Sequence, residues 1–287
     1  MLNAPSVLII HLMSFQLSQN QIEQYYQDGY IIVKSLFDAE EIGILRDVAR
    51  ADQALKKHAF DIDSGEGNKA KLSLWNYEGD DVYGLVSRSP RVIDPSEQLL
   101  GGEAYHYHSK MSMKEPFTGG AWTWHQDYGY WYQNGCLFPL LLSCFIAVDP
   151  NTRENGCMQV IKGSHTLGRI EHGRFGDQTG ADPERVDAAL NVLSLEYCVM
   201  DPGDALFFHC NTLHRSDENR SPDPRWSLIC CYNAARNNPY KQSHHPSYHK
   251  LERVSDDDLK RFGRGRVSQD GAYYDPMADK TIGVGER

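Results

Sequence analysis

No Cys-x-x-Cys pair occurs in this 287-residue chain, and its seven cysteines are irregularly spaced, with Cys230 and Cys231 adjacent in an apolar run. That pattern gives no support to a zinc knuckle or a thioredoxin-type motif, and reduced thiols in a cytoplasmic protein are the expected state. Basic residues are scarce, leaving a net charge of -10. Nucleic acid and anionic membrane both need a basic footprint, so neither is expected as the main partner. No Lys or Arg precedes Lys34, so the apolar stretch Val7–Met13 lacks the charged flank of a secretory signal. It is also far too short to span a bilayer. Residues 1–17 are expected to form a flexible leader, with Met1 or Met13 as the natural start. There is no internal repeat and no low-complexity tract. What is present, 40% hydrophobic and 24% charged residues, is ordinary material for a globular core. A single domain over 18–287 is expected.

The first hundred residues alternate helix signals with short strands. Ser18 with Gln21 reads as a capping box, and Asp28-Gly29 as the helix end. Tyr30–Val33 is a β-branched strand, and Asp38 caps a second helix carrying Ile42, Leu45 and Val48. Residues 61–71 are polar and predict a loop; the Asp61, Asp63, Glu66 set lacks the spacing of a calcium loop. Lys71–Trp75 reads as a strand edge and Pro90–Leu100 as a helix ending at Gly101-Gly102. From Ala104 onward the pattern is strands between turns. These are Tyr105–Lys114, Trp122–Tyr128, Leu140–Val148, Cys157–Ile161, Leu195–Val199, Ala205–His209 and Trp226–Asn233. Many short strands behind a helical opening predict a mainly β fold with flanking helices, built as a two-sheet jelly roll or barrel over about 104–235. The polar stretch 166–192 is long enough, if unstructured, to be a lid.

One stretch carries chemistry. In Trp122-Thr123-Trp124-His125-Gln126-Asp127 an imidazole and a carboxylate stand two residues apart. In an extended segment they would share a side and grip one ion. A downstream histidine would complete a 2-His-1-carboxylate face with open positions for non-haem iron. His209, inside a strand, and His214, just past it, compete for that place. Arg225 opens the next strand, where a buried guanidinium is costly without an anion. Its planar fork suits a carboxylate.

The set His125-x-Asp127, His214 with Ser216, and Arg225 resembles the phytanoyl-CoA dioxygenase superfamily of Fe(II)/2-oxoglutarate oxygenases. Supporting stretches are Asp28-Gly29-Tyr30, Glu154-Asn155-Gly156-Cys157-Met158, Lys162-Gly163-Ser164-His165 and Pro202-Gly203-Asp204, and the similarity spans about residues 20–235. The ectoine hydroxylase-like branch looks nearer, through Trp131 and Phe207-Phe208-His209-Cys210-Asn211-Thr212-Leu213-His214-Arg215-Ser216. The resemblance implies a double-stranded β-helix, or cupin-like jelly roll. His125, Asp127 and His214 would be the iron ligands, and His209 a core residue. Arg225 and Ser216 would hold the distal carboxylate of 2-oxoglutarate. Two further cosubstrate contacts fall near His108 and Ser112, where that branch has Gln and Asn. The segment after Asp127 lacks the Glu and His of the ectoine pattern, which counts against ectoine itself. With O2 and 2-oxoglutarate as cosubstrates, the implied reaction is hydroxylation of an unactivated C–H bond with release of succinate and CO2.

The substrate is expected to be a compact polar metabolite such as an amino acid, a compatible solute or an aminophosphonate. Trp122, Tyr128 and Trp131, with Tyr130 and Tyr132, would form an aromatic wall suited to a cationic amine. Asn233 and Arg236, beyond the last core strand, are the further candidate substrate contacts, and Arg153, Arg169 and Arg174 could also reach an anionic group. His244, His245 and His249 suggest a second metal site by composition alone. Two other functions fit parts of the pattern. A zinc hydrolase on the same three ligands would leave Arg225 and Ser216 without a role. A non-catalytic cupin-like binding module predicts a broken triad. A monomer or homodimer acting on a small molecule, with no nucleic acid or membrane partner, completes the expectation.

Overall fold

A computed structural model describes residues 15–63 and 67–274. Most of the expected leader therefore lies outside the described residues. Its last residue does not dangle: Leu17 is buried and its amide donates to Gln98 Oε1 at 2.8 Å.

Thirteen strands run β1 Tyr30–Val33, β2 Phe60–Ile62, β3 Ala70–Trp75, β4 Ala104–Lys114, β5 Trp122–His125, β6 Leu141–Ala147, β7 Met158–Ile161, β8 His172–Phe175, β9 Gln178–Ala181, β10 Leu195–Tyr197, β11 Ala205–His209, β12 His214–Ser216 and β13 Arg225–Ala234. Seven of them form the major sheet, in the order β1-β11-β6-β13-β4-β3-β2. Four form the minor sheet, β10-β7-β12-β5, and β8 with β9 makes a separate ribbon. The expected two-sheet jelly roll with flanking helices is present.

Strand alternation sorts the core. On β13, Trp226, Leu228, Cys230 and Tyr232 pack toward the helices, while Ile229 and Cys231 enter the cluster between the two sheets. On β6, Leu142, Cys144 and Ile146 face the helices; Leu141, Phe145 and Ala147 face inward. The same period-two rule sends Ser143 to the inner face. All seven cysteines are buried and free.

The helices begin where the sequence predicts. Ser18 and Asp38 both form capping boxes, with Gln21 and Glu41, and Gly29 ends the first helix in the left-handed conformation. The helix over Pro90–Leu100 stops at Gly101, also left-handed.

Three expectations need correction. Part of the predicted 61–71 loop is strand, because Phe60–Ile62 pairs with Ala70–Leu72 and covers the β3 edge. The stretch 166–192 is ordered: it holds a short 3-10 turn, the β8–β9 ribbon and the helix Pro183–Leu190, with a small apolar cluster including Ile170, Val186 and Leu213 beneath it. Finally, the strand expected over Trp122–Tyr128 ends at His125, and Tyr128–Trp131 is a helical turn.

The Pro202-Gly203-Asp204 turn locks β11 to the helical layer. Gly203 has a φ of 94°, its carbonyl accepts from the Phe37 amide at 3.1 Å, and a Cβ there would stand 2.1 Å from the Phe37 carbonyl oxygen. Gly203→Ala is expected to lower the unfolding free energy by at least about 2 kcal/mol in a urea titration.

Candidate active site

β5 ends at His125, and its cross-strand neighbour in the minor sheet is His214, the first residue of β12. The two ring centroids are 4.1 Å apart. Each ring is held the same way. Nδ1 of His125 lies 2.8 Å from the Thr123 carbonyl, and Nδ1 of His214 lies 2.9 Å from the Thr212 carbonyl. A carbonyl only accepts, so Nδ1 carries the hydrogen in both rings and Nε2 keeps its lone pair for a ligand. Burial drives both pKa values down, furthest for His125, which favours the neutral form that binds metal.

Asp127 arrives by a different route from the one strand alternation suggests. The chain leaves β5 after His125, and Asp127 has helical backbone angles, φ -56° and ψ -36°. A turn, rather than an extended i to i+2 step, brings its carboxylate round. Ser143, the inward serine of β6, donates to Oδ2 at 2.7 Å. Oδ1 then stands 3.9 Å from His214 Nε2. One donor atom from each of His125, Asp127 and His214 lies within 4.8 Å of the other two, and all three side chains are buried. Among the described residues this is the only such group. Two nitrogens and one oxygen on one side fit a divalent iron ion and leave its remaining positions facing the cavity.

Gln126, between two of the ligands, ties the group together. Its amide nitrogen donates to the carbonyls of Gly168 and Asn211 at 2.8 and 2.7 Å, and its Oε1 accepts from the Ile170 amide at 2.7 Å. Its own backbone amide donates to His172 Nε2 at 2.9 Å. The turn bearing Asp127 is thereby pinned to the segment before β8 and to the residue three positions ahead of His214.

Arg225 lies at the same cavity, its side chain wholly buried. Nη1 reaches Ser227 Oγ at 3.4 Å, Nε has no hydrogen-bond partner, and the guanidinium sits 5.7 Å from the Phe145 ring centre. Burial pushes its pKa down to about 10. Its cross-strand partner is Lys114, also buried, which donates to the Asp217 carbonyl. Burial, then the neighbouring Arg225, lowers the Lys114 pKa strongly. A buried guanidinium with one N–H left unpaired, beside a buried lysine, makes a place for an anion. Ser112 and Ser216 line the same space.

The cavity measures about 340 Å³. Phe60, Ile62, Leu72 and Leu74 give it apolar lining, and Trp122, Tyr130 and Trp131 line it together with Arg174, Gln178 and Thr179 of the β8–β9 ribbon. Tyr130 donates to the Thr179 carbonyl at 2.6 Å, joining the helical turn to that ribbon. His108 also lines the cavity. β4 slips register against β13 between Cys231 and Tyr232, with Tyr107 as the unpaired residue, so Tyr107 and His108 both face inward.

Several predicted contacts fall elsewhere. Tyr128 packs in the core between the sheets and donates to the Cys136 carbonyl at 2.9 Å. Asn233 is fully buried and donates to Tyr105 Oη and the Asn237 carbonyl. Arg236 donates to the Leu100 and Gly101 carbonyls at 2.6 and 3.3 Å, closing the helix that ends there. Both follow from strand length, since eight residues carry β13 about 26 Å away from Arg225. Arg153 stacks on Tyr197 and Arg169 on Tyr132; of the arginines considered as anion contacts, Arg174 alone reaches the cavity. His209 projects from the outer face of β11 toward Tyr25 and His165, which removes it from the metal group. The three late histidines separate: His244 and His245 line the cavity, while His249 binds Glu78. Sequence reading missed Lys110, whose Nζ is 3.9 Å from Asp127 Oδ1, and also Lys114, Gln126 and Ser143, and it gave His245 a different role. Lys110 was discoverable from its spacing, two residues from both His108 and Ser112 on one strand face.

The family model for phytanoyl-CoA dioxygenase (PhyH) matches residues 25–227. The ectoine dioxygenase of Bordetella parapertussis is 29% identical over 255 residues, covering 80% of each chain. The L-proline trans-4-hydroxylase of Streptomyces griseoviridis is 30% identical over 237 residues, covering 75% of this chain and 86% of the relative. In fold, the chain is similar to EctD from S. alaskensis with bound Fe, at a TM-score of 0.71 and 24% identity over 83% of this chain and 87% of that one.

The hold on the ligands can be tested directly, and so can the burial of the histidines outside the ligand set. Ser143→Ala and Gln126→Leu are each expected to weaken Fe(II) binding about 10- to 100-fold in anaerobic titration, by freeing the Asp127 carboxylate and the turn beneath it. Burial lowers the pKa of His172 and of His209 to about 4, below the unfolded value of about 6.5. The unfolded chain therefore binds more protons in that window. Ligand-free protein is expected to keep full stability above pH 6.5 and lose roughly 3 kcal/mol per histidine as pH falls toward 4, measured by denaturant titration across pH.

Proposed function

This chain belongs to the phytanoyl-CoA dioxygenase family, and we propose that it works as an Fe(II)- and 2-oxoglutarate-dependent dioxygenase that hydroxylates an unactivated C–H bond of a small polar metabolite. His125, Asp127 and His214 would hold the iron, each offering one buried donor atom. With O2 and 2-oxoglutarate, bound iron supplies the oxidising power for a C–H bond, and succinate and CO2 are released.

The chain's own residues prepare the site for that chemistry. The paired Nδ1–H to carbonyl bonds set the tautomer and aim of both imidazoles, and burial keeps them neutral. Ser143 fixes which carboxylate oxygen of Asp127 turns to the metal. Arg225, with Lys114 beside it, takes the distal carboxylate of 2-oxoglutarate, and Ser216 and Ser112 offer it hydroxyl groups. A single observation carries this reading: a buried guanidinium with an unpaired N–H lines the same cavity as a His/Asp/His face. A zinc hydrolase would leave that guanidinium without an anion, and a non-catalytic module would have no use for the intact ligand set.

The relatives named for ectoine and L-proline support a compact, nitrogen-bearing substrate. So does the mixture of charge lining the cavity, with Lys110 and Arg174 set against Asp61 and Asp177. We place the enzyme in the cytoplasm as a monomer or homodimer. Its seven buried free thiols suit that compartment, and no helix among the described residues is long and apolar enough to cross a membrane.

Arg225→Ala tests the assignment. Removing one partner of a buried charged pair costs about 2–5 kcal/mol, so the apparent affinity for 2-oxoglutarate, followed by succinate formation, is expected to fall by at least about 30-fold. An unchanged affinity would remove Arg225 from this role.

A further inference from the structure

The family match stops at residue 227, yet the chain beyond it returns to the cavity and finishes its wall. Two carboxylates moor this segment. His249 Nε2 is hydrogen-bonded to Glu78, whose other oxygen lies 3.4 Å from His106 Nδ1. Tyr248 donates to Glu103 Oε1 at 2.7 Å. Held there, His245 stacks on Tyr107 with centroids 4.3 Å apart and planes 24° apart. Its ring centre is 5.1 Å from that of His108. Both rings line the cavity, and Nδ1 of His245 and both nitrogens of His108 are buried without a hydrogen-bond partner.

We propose that His245, together with His108, forms the subsite for the polar end of the substrate, and that it takes an uncharged N–H or O–H donor in preference to a charged group. The proposal rests on the function assigned above and adds the chemistry of the group recognised. Position along β4 separates this subsite from the cosubstrate. Ser112, Lys110 and His108 face the cavity at steps of about 7 Å. Ser112 stands one step from Lys114, the partner of Arg225, and Lys110 stands at Asp127. His108 pairs with Cys231, about 20 Å along the strands from the Arg225 register. It therefore belongs with the substrate and not, as its sequence position suggests, with 2-oxoglutarate.

Charge decides what binds. The charged and titratable side chains acting most on His108 are His245, Lys110, His106 and His244, and those acting on His245 are His244 and His106. Burial holds both imidazoles neutral. To pair with a carboxylate as a charged group, one of them would have to take up a proton against burial and against Lys110. An N–H or O–H donor needs only a ring lone pair and no change of charge.

The full chain, labelled with 15N-histidine and loaded with Zn(II) and N-oxalylglycine, tests this without turnover. 2-Pyrrolidinone supplies an uncharged N–H donor and propionate a carboxylate. 2-Pyrrolidinone is expected to shift two ring resonances, assigned by their loss in His108→Phe and His245→Phe, while propionate leaves both in place. His245→Phe should weaken 2-pyrrolidinone binding at least tenfold, and His245→Gln, which keeps an acceptor and shows whether the fold is retained, should recover part of it. Resonances that ignore 2-pyrrolidinone, or that respond to propionate, overturn the proposal. Succinate formation from 2-oxoglutarate by the wild-type iron enzyme is measured alongside. Its absence would count against the function itself, whereas succinate with unresponsive histidines would count against this subsite alone.

Discussion

Two imidazoles face one ion usefully only when their far nitrogens are already engaged. Here each Nδ1–H is committed to the carbonyl two residues earlier, Thr123 for His125 and Thr212 for His214. The same local bond therefore sets tautomer and aim on both strands. Cross-strand pairing of β5 with β12 then supplies the separation. Everything else at the site is arranged around that pair: a serine from β6 turns Asp127, and Gln126 fastens the turn. The metal face is thus a product of sheet register and backbone carbonyls, with the rest of the fold serving to keep both in place.

Electrostatics divides the cavity into ends of different character. Arg225 places a cation, with Lys114 beside it, in a buried spot where neither meets a carboxylate by hydrogen bond among the described residues, an arrangement that suits an anion. Lys110 sits between, beside Asp127. At the far end the groups are uncharged imidazoles and aromatic faces. A dianionic cosubstrate and a nitrogen-bearing substrate would be sorted by this gradient before any close contact is made.

Much of this was legible in the sequence. Ser18, Asp38 and Gly29 announce helix ends because capping is local chemistry, and they were read correctly. The strand set followed from short apolar runs between turns, and a family resemblance resolved the contest between His209 and His214 that spacing alone left open. Strand parity gives the physical reason, since His209 points outward on β11. What stayed hidden depends on contacts distant in sequence. The helical turn at Asp127 looked like strand because its aromatics have high strand preference. Ser143 was overlooked inside an apolar run, although a lone polar residue on the inner face of a buried strand is a signal worth heeding. Asn233 and Arg236 looked well placed only because strand length was not converted into distance. Nothing local could have shown that His245 reaches Tyr107, because a β-bulge and the mooring of His249 to Glu78, 171 residues earlier in sequence, put it there.

The central claim is that the three ligands and Arg225 together make one binding place for iron and 2-oxoglutarate. Its most direct test is an anaerobic titration of the Fe(II)-loaded protein with 2-oxoglutarate, watched for the weak visible metal-to-ligand charge-transfer band of a chelated keto acid. The account predicts that the band grows to saturation at one equivalent per chain and is lost when His214 is replaced by alanine. A protein that binds Fe(II) at His125, Asp127 and His214 but develops no band with excess 2-oxoglutarate would contradict it.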